Sequence, residues 1–314
     1  MAEEAPVVGE PAMQEDVAGG GRTEQEVASQ PACWRRAGQL AADFAGVLPA
    51  RGERVAVAGC GTSWFMAQSY AALREAAGHG VTDAFAASEA PLATRDYDAL
   101  VVISRSGTTT EVLQLLDQVR GRTPTTAIVG GPDTPIARLA DQVVAMPFAD
   151  EHSVVQTRFA TTALIMLRAH LGEDVSGAIG DAEAALRAPV EPEWIDAEQF
   201  AFLGRGWTCG LANEAALKMR EASQSWTESY PAMEYRHGPI SIAAPGRVTW
   251  MFGAAPDGLR EDVEETGARF VQHDGDPVAE LVLVQRVALE RARARGLDPD
   301  NPRHLTRSVV LGAR

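Results

Sequence analysis

The sequence has few cysteines, almost no lysine and no long apolar run, and each shortage excludes something. Cys33, Cys60 and Cys209 are its three cysteines, far apart and without CxxC spacing, which argues against a disulfide framework and a thiolate zinc site. No stretch approaches the roughly 18 consecutive apolar residues of a membrane span. The opening Met1-Ala2-Glu3-Glu4-Ala5 is acidic where a signal or transit peptide is basic, so a cytoplasmic protein is expected. Basic residues number 28 against 43 acidic, a formal net charge of −15. A field of that sign repels nucleic acid and anionic membrane, and neither is expected as a partner. A small anion needs only a local pocket of donors. Lys218 is the only lysine; because all the other basic residues are arginine, any one arginine carries little information.

The remainder is an ordinary globular composition, 46% hydrophobic and 23% charged over 314 residues, long enough for about two domains. Residues 1–22 lack apolar periodicity and contain Gly19-Gly20-Gly21, the pattern of a disordered tail. Helical spacing runs from Thr23 to about Val47. Compact apolar runs follow at Val55–Gly59, Ala99–Ser104, Thr125–Gly130 and Val143–Pro147, separated by helical segments at Trp64–Ala77, Thr109–Gly121 and Val154–Leu171. Short apolar strands alternating with helices imply an α/β fold with a parallel, doubly wound sheet. The run Arg54–Gly61 reappears as Gln199–Gly206, and Val248–Phe252 stands where Ala99–Ser104 stood. Two α/β units are therefore expected, 23–180 and 181–314.

Two strand-to-helix turns carry anion-binding features. Ser104-Arg105-Ser106-Gly107-Thr108-Thr109 follows a strand and opens a helix. Free amides at a helix N-terminus attract an anion, Gly107 permits close backbone approach, the hydroxyls add donors and Arg105 could add a cation. A Ser/Thr helix cap is the bland alternative. Gly59-Cys60-Gly61-Thr62-Ser63-Trp64 begins like a dinucleotide fingerprint, but Trp64 stands where the third glycine belongs and no acidic residue ends a second strand about 20 residues on. A smaller phosphorylated ligand suits it better than NAD. Further on, Glu214, Lys218, Glu221 and Ser225 fall on one stripe of a helix expected over about Cys209–Trp226, opposite Leu211, Ala215, Met219 and Ala222. Such a stripe is either solvated, with an i,i+4 ion pair, or chemical. His237, in the turn Glu234-Tyr-Arg-His-Gly-Pro239, is a candidate acid or base.

Taken together, Cys-Gly-Thr-Ser at 60–63, Ser-x-Ser-Gly-x-Thr at 104–109, Ser153-Val-Val-Gln-Thr-Arg158, Glu214-Ala-Ala-Leu-Lys-Met-Arg-Glu221, Arg-His-Gly-Pro at 236–239 and Asn-Pro-Arg-His-Leu-Thr-Arg at 301–307 resemble the tandem SIS-domain (sugar isomerase) proteins. Both the isomerase half of glucosamine-6-phosphate synthase and the stand-alone amino-sugar-phosphate deaminases and isomerases have this pattern. The resemblance implies two SIS-type α/β sandwiches, each with a parallel sheet of about five strands, and a C-terminal helix near Ala279–Arg295 followed by a tail closing over the site. It implies that Gly61, Thr62, Ser63, Ser104, Arg105, Ser106, Thr109 and Val155 hold a hexosamine 6-phosphate. Glu221 would be the base, Lys218 its support, and His237 a ring-opening residue reaching across a homodimer interface. No cofactor or metal is implied.

Two positions depart from the pattern. Ala2 stands where the synthase has a nucleophilic cysteine opening a glutaminase domain, so glutamine is not expected as nitrogen donor through this chain. Arg307 stands where the synthase has a Schiff-base lysine, and a guanidinium stays protonated. The expected activity is C2 proton abstraction with aldose–ketose isomerisation and deamination. Dehydration of an N-acetylhexosamine 6-phosphate by loss of the 3-hydroxyl, and non-catalytic sugar-phosphate sensing, are the alternatives.

Overall fold

A computed structural model describes residues 21–312. The expected tail over 1–22 falls outside the described residues except for its last two, and Arg22 already belongs to the first helix. Among the described residues the strands are β1 (Val55–Gly59), β2 (Thr82–Ala86), β3 (Ala99–Ser104), β4 (Thr125–Val129), β5 (Gln142–Ala145), β6 (Gln199–Gly204), β7 (Trp226–Pro231), β8 (Arg247–Met251) and β9 (Arg269–Gln272). They form two all-parallel sheets, ordered β2-β1-β3-β4-β5 and β7-β6-β8-β9. The α/β fold is as expected, with four strands in the second sheet. β2, β7 and β9 escaped the sequence reading because they lie at or near sheet edges and lack a continuous apolar run.

The helices are α1 (Arg22–Ala28), α2 (Gln30–Leu40), α3 (Thr62–Ala76), α4 (Thr110–Val119), α5 (Pro135–Leu139), α6 (Arg158–His170), α7 (Ser176–Ala185), α8 (Pro192–Asp196), α9 (Thr208–Ser223), α10 (Leu259–Glu265) and α11 (Pro277–Ala294). The helical stretch expected over 23–47 is divided: Pro31 sits in the first turn of α2, and a 3₁₀ turn covers Ala41–Phe44. The helix expected to reach Trp226 ends at Ser223, because Gln224 takes a left-handed φ of 51° and Trp226 starts β7. Ser225 therefore leaves the helical stripe. None of the described helices is long and apolar enough to cross a membrane.

Period-two alternation divides each sheet between two apolar layers. Val55, Val57, Val101 and Ile103 of the first sheet, and Phe200, Phe202, Val248 and Trp250 of the second, face one continuous core that α2, α3, α6, α7, α9 and α11 fill. The opposite faces are covered separately, by α4 and α5 over Ala56, Leu100 and Val102 and by α10 over Ala201, Leu203 and Met251. The two units thus share their principal core. Arg168 of α6 forks onto Asp276 at the start of α11, at 2.9 and 2.7 Å, a charge-assisted bidentate pair across the join.

α3 and α9 meet at Gly210, where a Cβ would lie 2.3 Å from Ser69 Oγ and 2.4 Å from the Phe65 carbonyl oxygen. No side chain fits at this position. Gly210→Ala is expected to lower stability by about 1–3 kcal/mol in urea unfolding. Gly180→Ala on α7, where a Cβ meets nothing within 4 Å, should be neutral or slightly stabilising. Equal effects would contradict the packing argument.

Candidate active site

Strand order reverses between β1 and β3, and in open α/β sheets ligands bind beyond the strand C-termini at such a switch point. Here the two loops from the sequence reading stand side by side. After β1, Gly59 leaves no room for a side chain, since a Cβ would lie 2.6 Å from the Ser63 carbonyl carbon, and Gly61 takes φ +53°. α3 therefore starts at once, with Thr62 and Ser63 buried in its first turn. After β3, Gly107 takes φ +63°, and a Cβ there would meet Thr134 at 2.2 Å. The loop returns to open α4 with Thr109 as its cap residue.

A cavity of about 200 Å³ lies at this point. Gly61, Thr62, Ser63, Ser104, Arg105, Ser106, Thr109, Glu221 and Arg307 line it, with Cys60, Val154, Gln156 and the tail residues Leu305, Thr306 and Ser308. Burial pushes the Cys60 thiol up to about 11, with Glu111 adding to the shift, so the cavity holds no ready thiolate. Among the described residues no group of His, Cys, Asp or Glu is placed to hold a metal ion.

The far wall is α9. Glu214 and Lys218 are each 1% exposed, which rules out the solvated stripe. The Lys218 ammonium bonds the Glu221 carboxylate one turn on and lies 3.5 Å from Glu214. Burial alone would depress the Lys218 pKa, but Glu214 and Glu221 outweigh it and the ammonium is held more firmly than usual. For Glu214 burial dominates, pushing its carboxyl up to about 8 against the pull of Lys218. Burial thus favours the protonated form of Glu214, and Lys218 pairs with Glu221 at the cavity wall. Periodicity places Glu214 on the stripe of α9; its burial comes from the α3–α9 contact.

Three expected site residues stand apart from the rest of the cup, His237 where a residue meant to act on a partner protomer's site could lie. Arg105 lines the cavity, but its two terminal nitrogens donate to the carbonyls of Ser153 at 2.7 Å and Arg307 at 2.6 Å, leaving Nε buried without a partner. It braces the tail to the neighbouring loop. Val155 is buried beside Lys218 and Ala222 around a small void, while its neighbours Val154 and Gln156 line the cavity. Its apolar side chain packs inward. His237 is exposed at the end of a 3₁₀ turn, Glu234–His237, outside the cavity of its own chain.

Asp150 and Glu151 are missed residues that shape the site from behind. Glu151 accepts from the amides of Thr157 at 2.6 Å, Arg158 at 2.8 Å and Phe159 at 3.2 Å, and from the Thr157 hydroxyl at 2.7 Å, fixing the entry to α6. Arg307 donates to the Glu151 carbonyl at 2.9 Å and to Asp150 Oδ1 at 2.7 Å. The tail after α11 thereby lies across the cavity mouth.

With this geometry in view, residues 50–171 match the family model of the SIS domain. That stretch, within the first unit, is similar to a SIS domain. The match covers the cup loops and β1–β5; the second unit shares their strand order, a likeness of topology. The chain is homologous to the glutamine–fructose-6-phosphate aminotransferase (isomerizing) of Neisseria meningitidis serogroup B, 28% identical over 82% of this chain and 51% of that protein. The chain spans about half the length of the curated relatives it matches. Among solved structures, glucosamine-6-phosphate deaminase from Thermotoga maritima superposes with a TM-score of 0.79 at 26% identity, over 93% of this chain and 100% of that one. The C-terminal domain of glucosamine-fructose-6-phosphate aminotransferase from Francisella tularensis shares the fold, with a TM-score of 0.77 at 20% identity over 92% of this chain and 100% of that one.

The raised Glu214 pKa has a consequence for stability. A carboxyl whose folded value lies above its unfolded one stabilises fully below the unfolded value and loses that contribution as pH rises through the folded value. Between about pH 4.5 and 8 the protein should lose stability on the order of a few kcal/mol, and Glu214→Gln should flatten that slope in chemical unfolding. An unchanged slope in the variant would contradict the assignment.

Proposed function

We propose that the chain is a sugar-phosphate enzyme of the SIS type, acting on a 2-amino-2-deoxy hexose 6-phosphate by aldose–ketose isomerisation with deamination. The carrying observation is that Glu221, held by Lys218, and the hydroxyl-rich cup of Thr62, Ser63, Ser104, Ser106 and Thr109 line one cavity. Kinship with the aminotransferases and with the T. maritima deaminase supports the same reading. The second unit, on this proposal, is also SIS-derived and contributes the base.

The chemistry follows from the parts. The cup amides and hydroxyls hold the phosphate dianion. In the open-chain aldose the C1 carbonyl acidifies the C2 hydrogen, and Glu221 removes it as a general base. The electron pair moves into a C1–C2 double bond and the carbonyl oxygen gains a proton, giving an enolamine. Reprotonation at C1 leaves an imine at C2, and water hydrolyses it to the 2-ketose and ammonia. Arg307 remains a guanidinium, so no Schiff base forms at that position.

The partner protomer would supply His237 for ring opening. Trp226, 75% exposed on the edge strand β7, and Met233, 47% exposed in the following turn, are large apolar groups that a second copy would cover. Mixing Glu221→Gln with His237→Ala chains should then restore activity, because each heterodimer has one site with both groups intact. No recovery on mixing would place both in one chain.

Glucosamine 6-phosphate and its N-acetyl form, incubated separately with the enzyme, test the reaction. Ammonia from the first supports deamination, an unsaturated product without ammonia from the second points to dehydration, and no turnover of either overturns the proposal. Glu221→Gln should cut kcat by about 10²–10⁴-fold with substrate still bound. Ser106→Ala should mainly raise KM, by about 10- to 100-fold, because the phosphate does not react. Near-normal turnover in Glu221→Gln would remove it as the base.

A further inference from the structure

The tail changes character at Arg307. Before it, His304 takes φ +64°, an uncommon conformation for a residue with a Cβ, and turns the chain towards the cup. Arg307 itself is latched at three points: its side chain on the Glu151 carbonyl and Asp150, and its own carbonyl by Arg105. Beyond it the contacts fall on the cup. Ser308 Oγ accepts hydrogen bonds from Ser106 Oγ at 3.1 Å and Thr108 Oγ1 at 2.9 Å. The Val309 carbonyl accepts from the amide of Thr110, the first residue of α4, at 3.2 Å, and the Leu311 amide donates to Thr110 Oγ1 at 2.9 Å. The side chains of Val309, Val310 and Leu311 are exposed, so no apolar burial holds this stretch down.

An oxygen accepting from two loop hydroxyls, beside a second oxygen on the opening amide of a helix, is the arrangement two phosphate oxygens would take at an anion site. We propose that Ser308 and Val309 form an internal competitor for the phosphate cup. A sugar phosphate binds by displacing residues 308–311 while Arg307 stays latched, so the tail sets the affinity of the cup. This rests on the reading of loop 104–110 as a phosphate site.

Titration calorimetry of the full chain with inorganic phosphate tests it. Ser308→Ala removes an acceptor from the competitor and should bind phosphate about two- to tenfold tighter than the unaltered chain, the worth of roughly one net hydrogen bond. Ser308→Asp seats a carboxylate on the same donors and should weaken binding by about tenfold or more. Phosphate should also speed hydrogen exchange at the Leu311 amide of the unaltered chain, whose bond to Thr110 is broken by displacement. Weaker or unchanged binding by Ser308→Ala, or slower Leu311 exchange, overturns the competitor while leaving the phosphate site intact. Absence of phosphate binding in all three chains overturns both.

Discussion

Much of the molecule depends on α9 lying directly against α3, with Gly210 against the Ser69 hydroxyl and the Phe65 carbonyl. Because no side chain projects from α9 at this point, the polar stripe of α9 is pressed into the join between the two units. Glu214 and Lys218 are fully enclosed there, and Glu221 reaches the mouth of a cavity built mainly by the other unit. The shared core and the composite cavity are consequences of one close approach.

Enclosing Glu214 and Lys218 beside a partly exposed Glu221 is costly unless their charges are compensated. Burial drives Glu214 up to about 8, favouring its protonated form, and Lys218 pairs with Glu221. Lys218 is also the only lysine of the sequence, in a chain that otherwise uses arginine. A compact ammonium fits between the carboxyl groups of Glu214 and Glu221 one turn either side of it, where a planar guanidinium would need more room.

The cup follows a different logic. The terminal nitrogens of Arg105 are engaged by backbone carbonyls, so anion binding would rest mainly on amides and hydroxyls. These donors work within a protein of net charge −15, because they act over hydrogen-bond distances rather than through the long-range field. The same donors serve the tail in the structure described here, which places ligand and tail in competition for one set of groups. Asp150, Glu151, Arg105 and Arg307 tie that tail to the loop before α6.

Local sequence determined what local physics controls. β1, β3, β4, β6 and β8 are apolar runs bounded by turn residues, legible because buried parallel strands admit little else. The glycines and hydroxyls at 59–63 and 104–109 were legible because a tight strand-to-helix turn leaves few choices. The edge strands β2 and β7 and the end of α9 were not: Trp226-Thr-Glu-Ser-Tyr-Pro231 has no helical or strand period of its own and becomes a strand only by pairing with β6. Tertiary structure alone decided which way the polar groups point. Periodicity put Glu214 and Lys218 on one helix stripe but could not say whether water or α3 would cover it. A basic residue in an anion loop reads as a cation for the ligand until the carbonyls of Ser153 and Arg307, far apart in sequence, converge on Arg105. Burial and long-range hydrogen bonding are properties of the assembled neighbours, and one strand of sequence does not contain them.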